Sequence, residues 1–447
     1  SEPTRPPGPA PRACLLQPAP LSRIHDNEVT AMRSTRRTLL ACLAAVATLV
    51  SVSACGGGGS GSSGSSAGSG TYTFWDPYPQ FDASSDWGRR VARCGTEAGV
   101  TVKRTGYDTT DLGNKALLAA QQGNAPDVML VDNPVVSTLV EAGILNKTSD
   151  LGLDTSAMQQ NIIGAGTLNG ASYGVPIGAN TLAIYYNKKI LTASGVDPAS
   201  VKDWASLTAA LKKVAAAGKK GITFSAINTE EGSFQFLPWF WGAGADLTDL
   251  DSAQAVAALT LWKQWVDAGY APKDVLQNTQ TTSWQEFATG EYAFAENGTW
   301  QLANAEKAGF EYGVVGIPGQ HGGAAPVPTG GEFVTVPVQQ DTARYDVSKK
   351  IVTCLTSSEN LLASDTALTY VAPTAAVQAR QVAANPKLRP WVEAVAAARG
   401  RTSGGLGTKY PVISQPLWTA VQSALSGGSS PKDALATAQT AAGKAKG

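Results

Sequence analysis

TYTFWD (71–76), SSDWGRRVARCGTEA (84–98), VTVK (100–103), LGNKALLAAQQ (112–122) and DVMLV (127–131) follow one another along one stretch of chain. The first, third and fifth are short runs rich in β-formers and apolar residues. The second and fourth read as helices, the fourth stopped by Gly123. Strand, helix, strand, helix, strand predicts a parallel sheet in an α/β domain. Polar residues close the strands: Asp76 after the first, Asp132 and Asn133 after the third. In open α/β sheets, ligands sit at the carboxyl ends of the strands.

Further along, the same grammar continues. Trp204, Leu207, Leu211 and Val214 share one helical face, with Gly218 as a stop. Residues 222–227 predict a strand, and Asp251 can cap a helix carrying Val256, Leu259, Trp262 and Val266 that ends at Gly269. Residues 292–295 predict a short strand, and the chain after about Val371 reads as Ala-rich helix. No internal repeat and no second transmembrane candidate are visible.

Upstream, Arg33, Arg36 and Arg37 precede an apolar run from Leu39 to Val52 and then Ser53-Ala54-Cys55. That is the order of a secretory signal, and about 14 apolar residues fall short of the ~20 that span a bilayer. Val52-Ser53-Ala54-Cys55 resembles the lipobox of bacterial lipoproteins, which implies acylation of Cys55. An almost pure Gly/Ser stretch follows from Gly56 to Gly70 and reads as flexible coil. Residues 1–31 are Pro-rich, precede Met32, and are expected to be spurious or disordered. The expected order is therefore 32–54 signal peptide, 55–70 linker after lipidated Cys55, and a folded body from 71. Of five cysteines, Cys94 and Cys354 remain in that body. In an exported protein they suggest one disulfide, with two unpaired buried thiols as the alternative.

With 447 residues the chain has room for two large lobes. Lys+Arg and Asp+Glu both count 35, which argues against a polyanion-binding surface and so against nucleic acid. The two histidines are His25 and His321, so neither a His-rich metal site nor, unless His321 serves it, a Ser-His-Asp hydrolase is expected. No HExxH, G-x-S-x-G or phosphate-loop motif is present. No catalytic residue, metal or cofactor is assigned. Aromatics are the better clue. Trp75, Trp239, Trp241, Trp284 and Trp300 sit beside small or polar residues at expected loop or strand ends. An aromatic ring takes the apolar face of a sugar while Asp, Asn and Glu take its hydroxyls. Phe236–Gly242 is the densest such segment, with a packed strand or loop as its bland alternative, and Trp204, Trp262 and Trp265 read as structural.

Four segments in this order resemble the bacterial extracellular solute-binding proteins of the maltose-binding type, the family 1 sugar-binding lipoproteins of ABC transporters. They are residues 71–76; APDVM (125–129) with LVEAGIL (139–145); YGVP (173–176) with LAIYYNK (182–188) and Asp203-Trp204; and FATGEYAF (287–294) with NGTW (297–300). The resemblance implies an α/β fold of two lobes, the type II periplasmic-binding-protein-like fold. Each lobe would be a mostly parallel sheet flanked by helices, with crossing strands as the hinge. Lobe one is expected at 71–182 plus 314–375, and lobe two at 183–313 plus 376–447. This places Cys94 and Cys354 in one lobe. The implied ligand residues are Asp76 and Tyr78 after the first strand, Asp132 and Asn133 after the third, and Asn180 where several relatives have Glu. Trp300, flanked by Glu296 and Asn297, would be the aromatic platform. Gly331 and Glu332 lie in a glycine turn, and Trp239 and Trp241 complete the set.

The function implied is capture without chemistry: a monomer, anchored through Cys55 on the outer face of the cell membrane, that closes on a sugar and docks on ABC permease subunits. The alternatives are a non-sugar solute such as a glycerophosphodiester, polyamine or metal complex, an extracellular carbohydrate-active enzyme, and a lipoprotein acting only as an assembly partner.

Overall fold

The computed structural model describes residues 71–403 and 405–445. The upstream segment, signal peptide, Cys55, the Gly/Ser linker and His25 lie outside the described residues. The expected opening motif forms as β1 (Thr71–Asp76), α1 (Asp86–Glu97), β2 (Thr101–Gly106), α2 (Thr109–Gln121) and β3 (Val128–Asp132), followed by α3 (Asn133–Glu141). β1 lies between β2 and β3, parallel to both. Tyr72, Phe74, Met129 and Val131 are buried among α1, α2 and α3 side chains.

The chain then leaves and returns. Glu332–Thr335 adds to β3 in antiparallel register, and Val175–Pro176 completes a five-stranded sheet. A second, four-stranded sheet takes Tyr312–Val315, Leu182–Asn187, Tyr292–Gly298 and Lys220–Thr223 in that order. Both sheets are mixed. In the second, only Lys220–Thr223 runs parallel to its neighbour. Leu182–Asn187 is apolar on both faces for a physical reason. Ile184 faces the large helical core of the second lobe, and Tyr185 a separate cluster with Trp284 and Trp391.

The sheets and cores move two of the expected lobe limits. Tyr312–Val315 pairs within the second sheet, so the return to lobe one falls after Val315. Helix Ala375–Ala384 stays with lobe one, where Val377 packs in its core, and Trp391 is the next large residue to pack with the second sheet. Crossing segments meet side by side. Asn180 and Gly330 exchange backbone bonds of 3.1 and 2.8 Å, and Pro328–Thr329 pairs in parallel with Arg399–Gly400. Cys94 and Cys354 are disulfide-bonded and tie α1 to helix Tyr345–Leu355 within lobe one.

The segment expected as an aromatic loop is a helix, Glu230–Gly242, with Pro238 inside it. Proline and aromatics are poor helix formers, which is why the sequence points elsewhere. Burial overrides that preference: Phe236, Leu237, Trp239 and Phe240 are wholly enclosed against Trp262 and Trp265. The 222–227 strand likewise shortens, ending at Thr223. Helix Ala253–Asp267 is capped by Ser252 rather than Asp251, the Ser252 hydroxyl accepting from the Ala255 amide.

Candidate functional site

The carboxyl end of β1 builds a closed knot. Asp76 has no exposed surface. Its Oδ2 accepts from Trp87 Nε1 at 2.8 Å and from Arg104 Nε at 2.5 Å, and its Oδ1 from Arg104 Nη2 at 2.7 Å and the Tyr78 amide at 3.1 Å. Burial raises its pKa against the pull of Arg104 and Trp87. Both oxygens are spent inside lobe one, so the expected solute contact at Asp76 is corrected to a structural one.

The carboxyl end of β3 faces the crossing segments instead. Asp132 caps α3, accepting from the Asn133 amide at 2.9 Å. Asn133 Nδ2 donates to the Thr329 carbonyl at 3.0 Å. The antiparallel register sets Glu332 directly opposite Asp132. Two carboxylates in that position repel each other. The conflict is relieved in two ways. Glu332, buried, has its pKa raised to about 8, by desolvation first and by Asp132 second. Tyr78 and Tyr370 hydroxyls donate to it at 2.8 and 3.3 Å. Asp132 meets Arg401, whose Nη2 donates at 2.7 Å.

Arg401 also donates through Nη1 to Glu230 Oε1 at 2.8 Å, and its guanidinium lies 4.8 Å from the centre of the Phe234 ring. Glu230 accepts in addition from Tyr410 Oη at 2.6 Å and from the Ser414 hydroxyl. Tyr410 and Ser414 belong to helix Lys409–Leu425, buried with the second core. Desolvation raises the Glu230 pKa while Arg401 pulls it down. Trp300 is half-buried and packs against both cores, its ring 6.3 Å from Phe234. Gly298 makes room for that ring, since a Cβ there would lie 2.0 Å from it.

The structure therefore brings Tyr78, Asp132, Asn133, Asn180, Trp300, Gly331 and Glu332 to one junction of the lobes. Gly331 holds φ of 115°, and a Cβ there would lie 2.4 Å from the Gly178 carbonyl, so it shapes the turn. Other expected contacts are engaged inside the second lobe instead. Trp239 is wholly buried and donates from Nε1 to Glu296 Oε2 at 2.7 Å, with Glu296 equally enclosed. Trp241 is 4% exposed and covered by the Arg399 guanidinium, 4.8 Å from its ring centre. Asn297 is buried, its Nδ2 donating to the Gln280 carbonyl and its Oδ1 accepting from Gly298. Each occupies a core position that hydrophobic loop-like sequence disguised.

Sequence reasoning missed Arg401, Glu230, Phe234, Tyr370, Tyr410 and Ser414. All lie far along the chain from the ends of β1 and β3. The signal available was a Glu pair, Glu230-Glu231, opening a helix that the sequence reading took for a loop. Two open cavities, one beside Ala125, Ile144 and Val338 and one beside Trp87, Arg90 and Leu368, lie on lobe one and share no lining residue with the junction. They contain none of the polar groups that meet there, so the junction is the better candidate. Among the described residues no cluster of three or more His, Cys, Asp or Glu is placed to hold a metal ion.

Comparison with known proteins places the family and the fold. The chain is 32% identical over 212 residues to the maltodextrin-binding protein MdxE of Bacillus subtilis strain 168, covering 44% of this chain and 48% of that protein. It is 28% identical over 278 residues to the maltooligosaccharide ABC transporter solute-binding lipoprotein of Streptococcus pneumoniae strain ATCC BAA-255 / R6, covering 59% and 63%. The chain thus spans about half of the first relative and under two thirds of the second. The GacH receptor of Streptomyces glaucescens, solved unliganded and with acarbose and an acarbose homologue, superposes with a TM-score of 0.71 at 25% identity, over 84% of this chain and 98% of that one. The fold is therefore the two-lobed type II binding-protein fold. The family model described as bacterial extracellular solute-binding protein matches residues 89–390, more than half of the sequence, and the chain belongs to that family.

Proposed function

We propose that this protein captures a neutral sugar oligomer between its lobes and delivers it, chemically unchanged, to the permease subunits of an ABC importer. In this reading it acts as a monomer on the outer face of the cell membrane, held by a lipid on Cys55. One observation carries the sugar assignment: Trp300 packs on both cores, its ring 6.3 Å from Phe234, the ring that Arg401 of the Asp132–Arg401–Glu230 cluster covers. An indole offers a face to sugar C–H groups, and the Asn180 amide and Asp132 carboxylate offer partners to hydroxyls, beside Tyr78 and Tyr370 that are engaged on Glu332. The maltodextrin and maltooligosaccharide names of the relatives support the same class. The guanidinium at the junction, Arg401, is engaged by two carboxylates, which disfavours a phosphate-bearing solute.

The test is a thermal-shift screen of the full chain carrying Cys55→Ser, against maltooligosaccharides, other mono- and disaccharides, polyamines and glycerophosphodiesters. A solute at about 100 times its dissociation constant adds ~2.7 kcal/mol of stability. The expected result is a shift with a sugar that is recovered intact, lost in Trp300→Ala. A shift with charged solutes alone overturns the sugar assignment, and a cleaved sugar overturns capture without chemistry.

A further inference from the structure

Arg401 joins the two lobes through charge. Its side chain is 2% exposed. On one side it is fixed to lobe two: Nη1 to Glu230, itself pinned by Tyr410 and Ser414, and the guanidinium close to the Phe234 ring. On the other it reaches lobe one, donating to Asp132 Oδ1 at 2.7 Å and to Asn133 Oδ1 at 3.3 Å. Helix α3 and helix Lys409–Leu425 pack together at this point, with Ser137 Oγ 3.4 Å from the Gly407 carbonyl oxygen.

The energetic consequence follows from what separation would expose. Asp132 is 14% exposed and stands in register with Glu332. Moving Arg401 away with lobe two removes the cation that cancels Asp132. That leaves a carboxylate beside another carboxyl group, with water replacing the guanidinium. The clasp therefore contributes the surplus of its charge-assisted bonds over the hydration that opening restores. The bonds of Arg401 to Glu230 survive opening, whereas those to Asp132 and Asn133 do not.

We propose that Asp132–Arg401–Glu230 is an ionic clasp that holds the lobes together without solute, so that the free protein already populates the closed arrangement. The clasp rests on the hinge-closure reading above, though not on the identity of the solute. Its effect on capture is a matter of populations. When the binding-competent arrangement is populated beforehand, the apparent dissociation constant is not inflated by a small competent fraction. Weakening the clasp lowers that fraction and the apparent affinity together.

The experiment is single-molecule energy transfer on the full chain carrying Cys55→Ser, with fluorophores on non-natural residues at exposed Asn114 in lobe one and exposed Thr281 in lobe two. Without solute, the unmodified clasp is expected to give one predominant distribution that added solute leaves nearly unmoved. Arg401→Met, of similar reach and without charge, is expected to shift that distribution to a second, solute-reversible one and to weaken apparent affinity by roughly tenfold or more. Glu230→Gln, which keeps hydrogen bonds to Tyr410 and Ser414, decides the question if Arg401→Met fails to fold. Distributions that match the parent's in whichever variant folds overturn the clasp. So does a solute-free parent that closes only on adding solute. Failure of any sugar to bind would overturn the sugar assignment and leave the solute-free distributions to judge the clasp on their own.

Discussion

The carboxyl ends of β1 and β3 are neighbours in one sheet, and each carries an aspartate paired with an arginine. Arg104, partner of Asp76, comes from the adjacent strand β2 of the same lobe. Arg401, partner of Asp132, comes from the far end of the chain and is shared with the second lobe. The first pair forms when lobe one folds, and the second only when the lobes meet. Similar chemistry at similar positions thus serves stability in one place and, in the reading proposed here, domain closure in the other.

The strongest way to break that contrast is to remove the two carboxylates separately. Asp76→Ala leaves Arg104 with no carboxylate in an enclosed site and is expected to cost about 3–5 kcal/mol. Asp132→Ala leaves Arg401 still paired to Glu230 and is expected to cost about 1–3 kcal/mol. Urea unfolding of both variants without solute reads the difference, and equal losses would show that both pairs are structural.

A second contrast concerns the indoles. Trp239 is enclosed and bonded to Glu296, so Trp239→Ala is expected to lose about 3–5 kcal/mol of stability. Trp300 is half-buried, and Trp300→Ala is expected to cost less than about 2 kcal/mol while abolishing the solute-induced shift. Thermal melts with and without solute separate the two. A stable Trp239→Ala protein that has lost solute binding would reverse their roles.

The smallest expected effect is a pH dependence. The folded-state pKa of Glu332, about 8, lies above the ordinary glutamate value near 4.5. Between those values the folded protein holds a proton that the unfolded chain has released. Its contribution is therefore fully present below about pH 4.5, declines through the interval, and is gone above about pH 8. Melts at pH 5 and pH 8 are expected to show a fall of roughly 1–3 kcal/mol that Glu332→Gln removes. An unchanged slope in that variant would assign the dependence to other groups.

Several features were legible in the sequence because they rest on local rules. Alternating strands and amphipathic helices across 71–131 required an α/β sheet, and the strand-end residues Asp132 and Asn133 do stand at the lobe junction. Trp204 and Trp262 fell on buried helical faces, as their spacing demanded, and Trp265, read as structural, is buried too. The helix Glu230–Gly242 was not legible. Its local propensity opposes helix, and only enclosure by Trp262, Trp265 and helix Lys409–Leu425 stabilises it.

Local sequence rules were enough for the strand–helix order, the likeness to a solute-binding family and one part of the junction, including Asp132, Asn133 and Trp300. The tertiary structure decided which of those residues meet where the lobes join. Asp76, Trp239, Glu296 and Asn297 read like contacts and are enclosed, while Arg401 and Glu230 went unread and bridge the lobes. The physical reason is distance along the chain. A carboxylate's role depends on whether its cation comes from the next strand or from 269 residues away, and no local pattern encodes that choice.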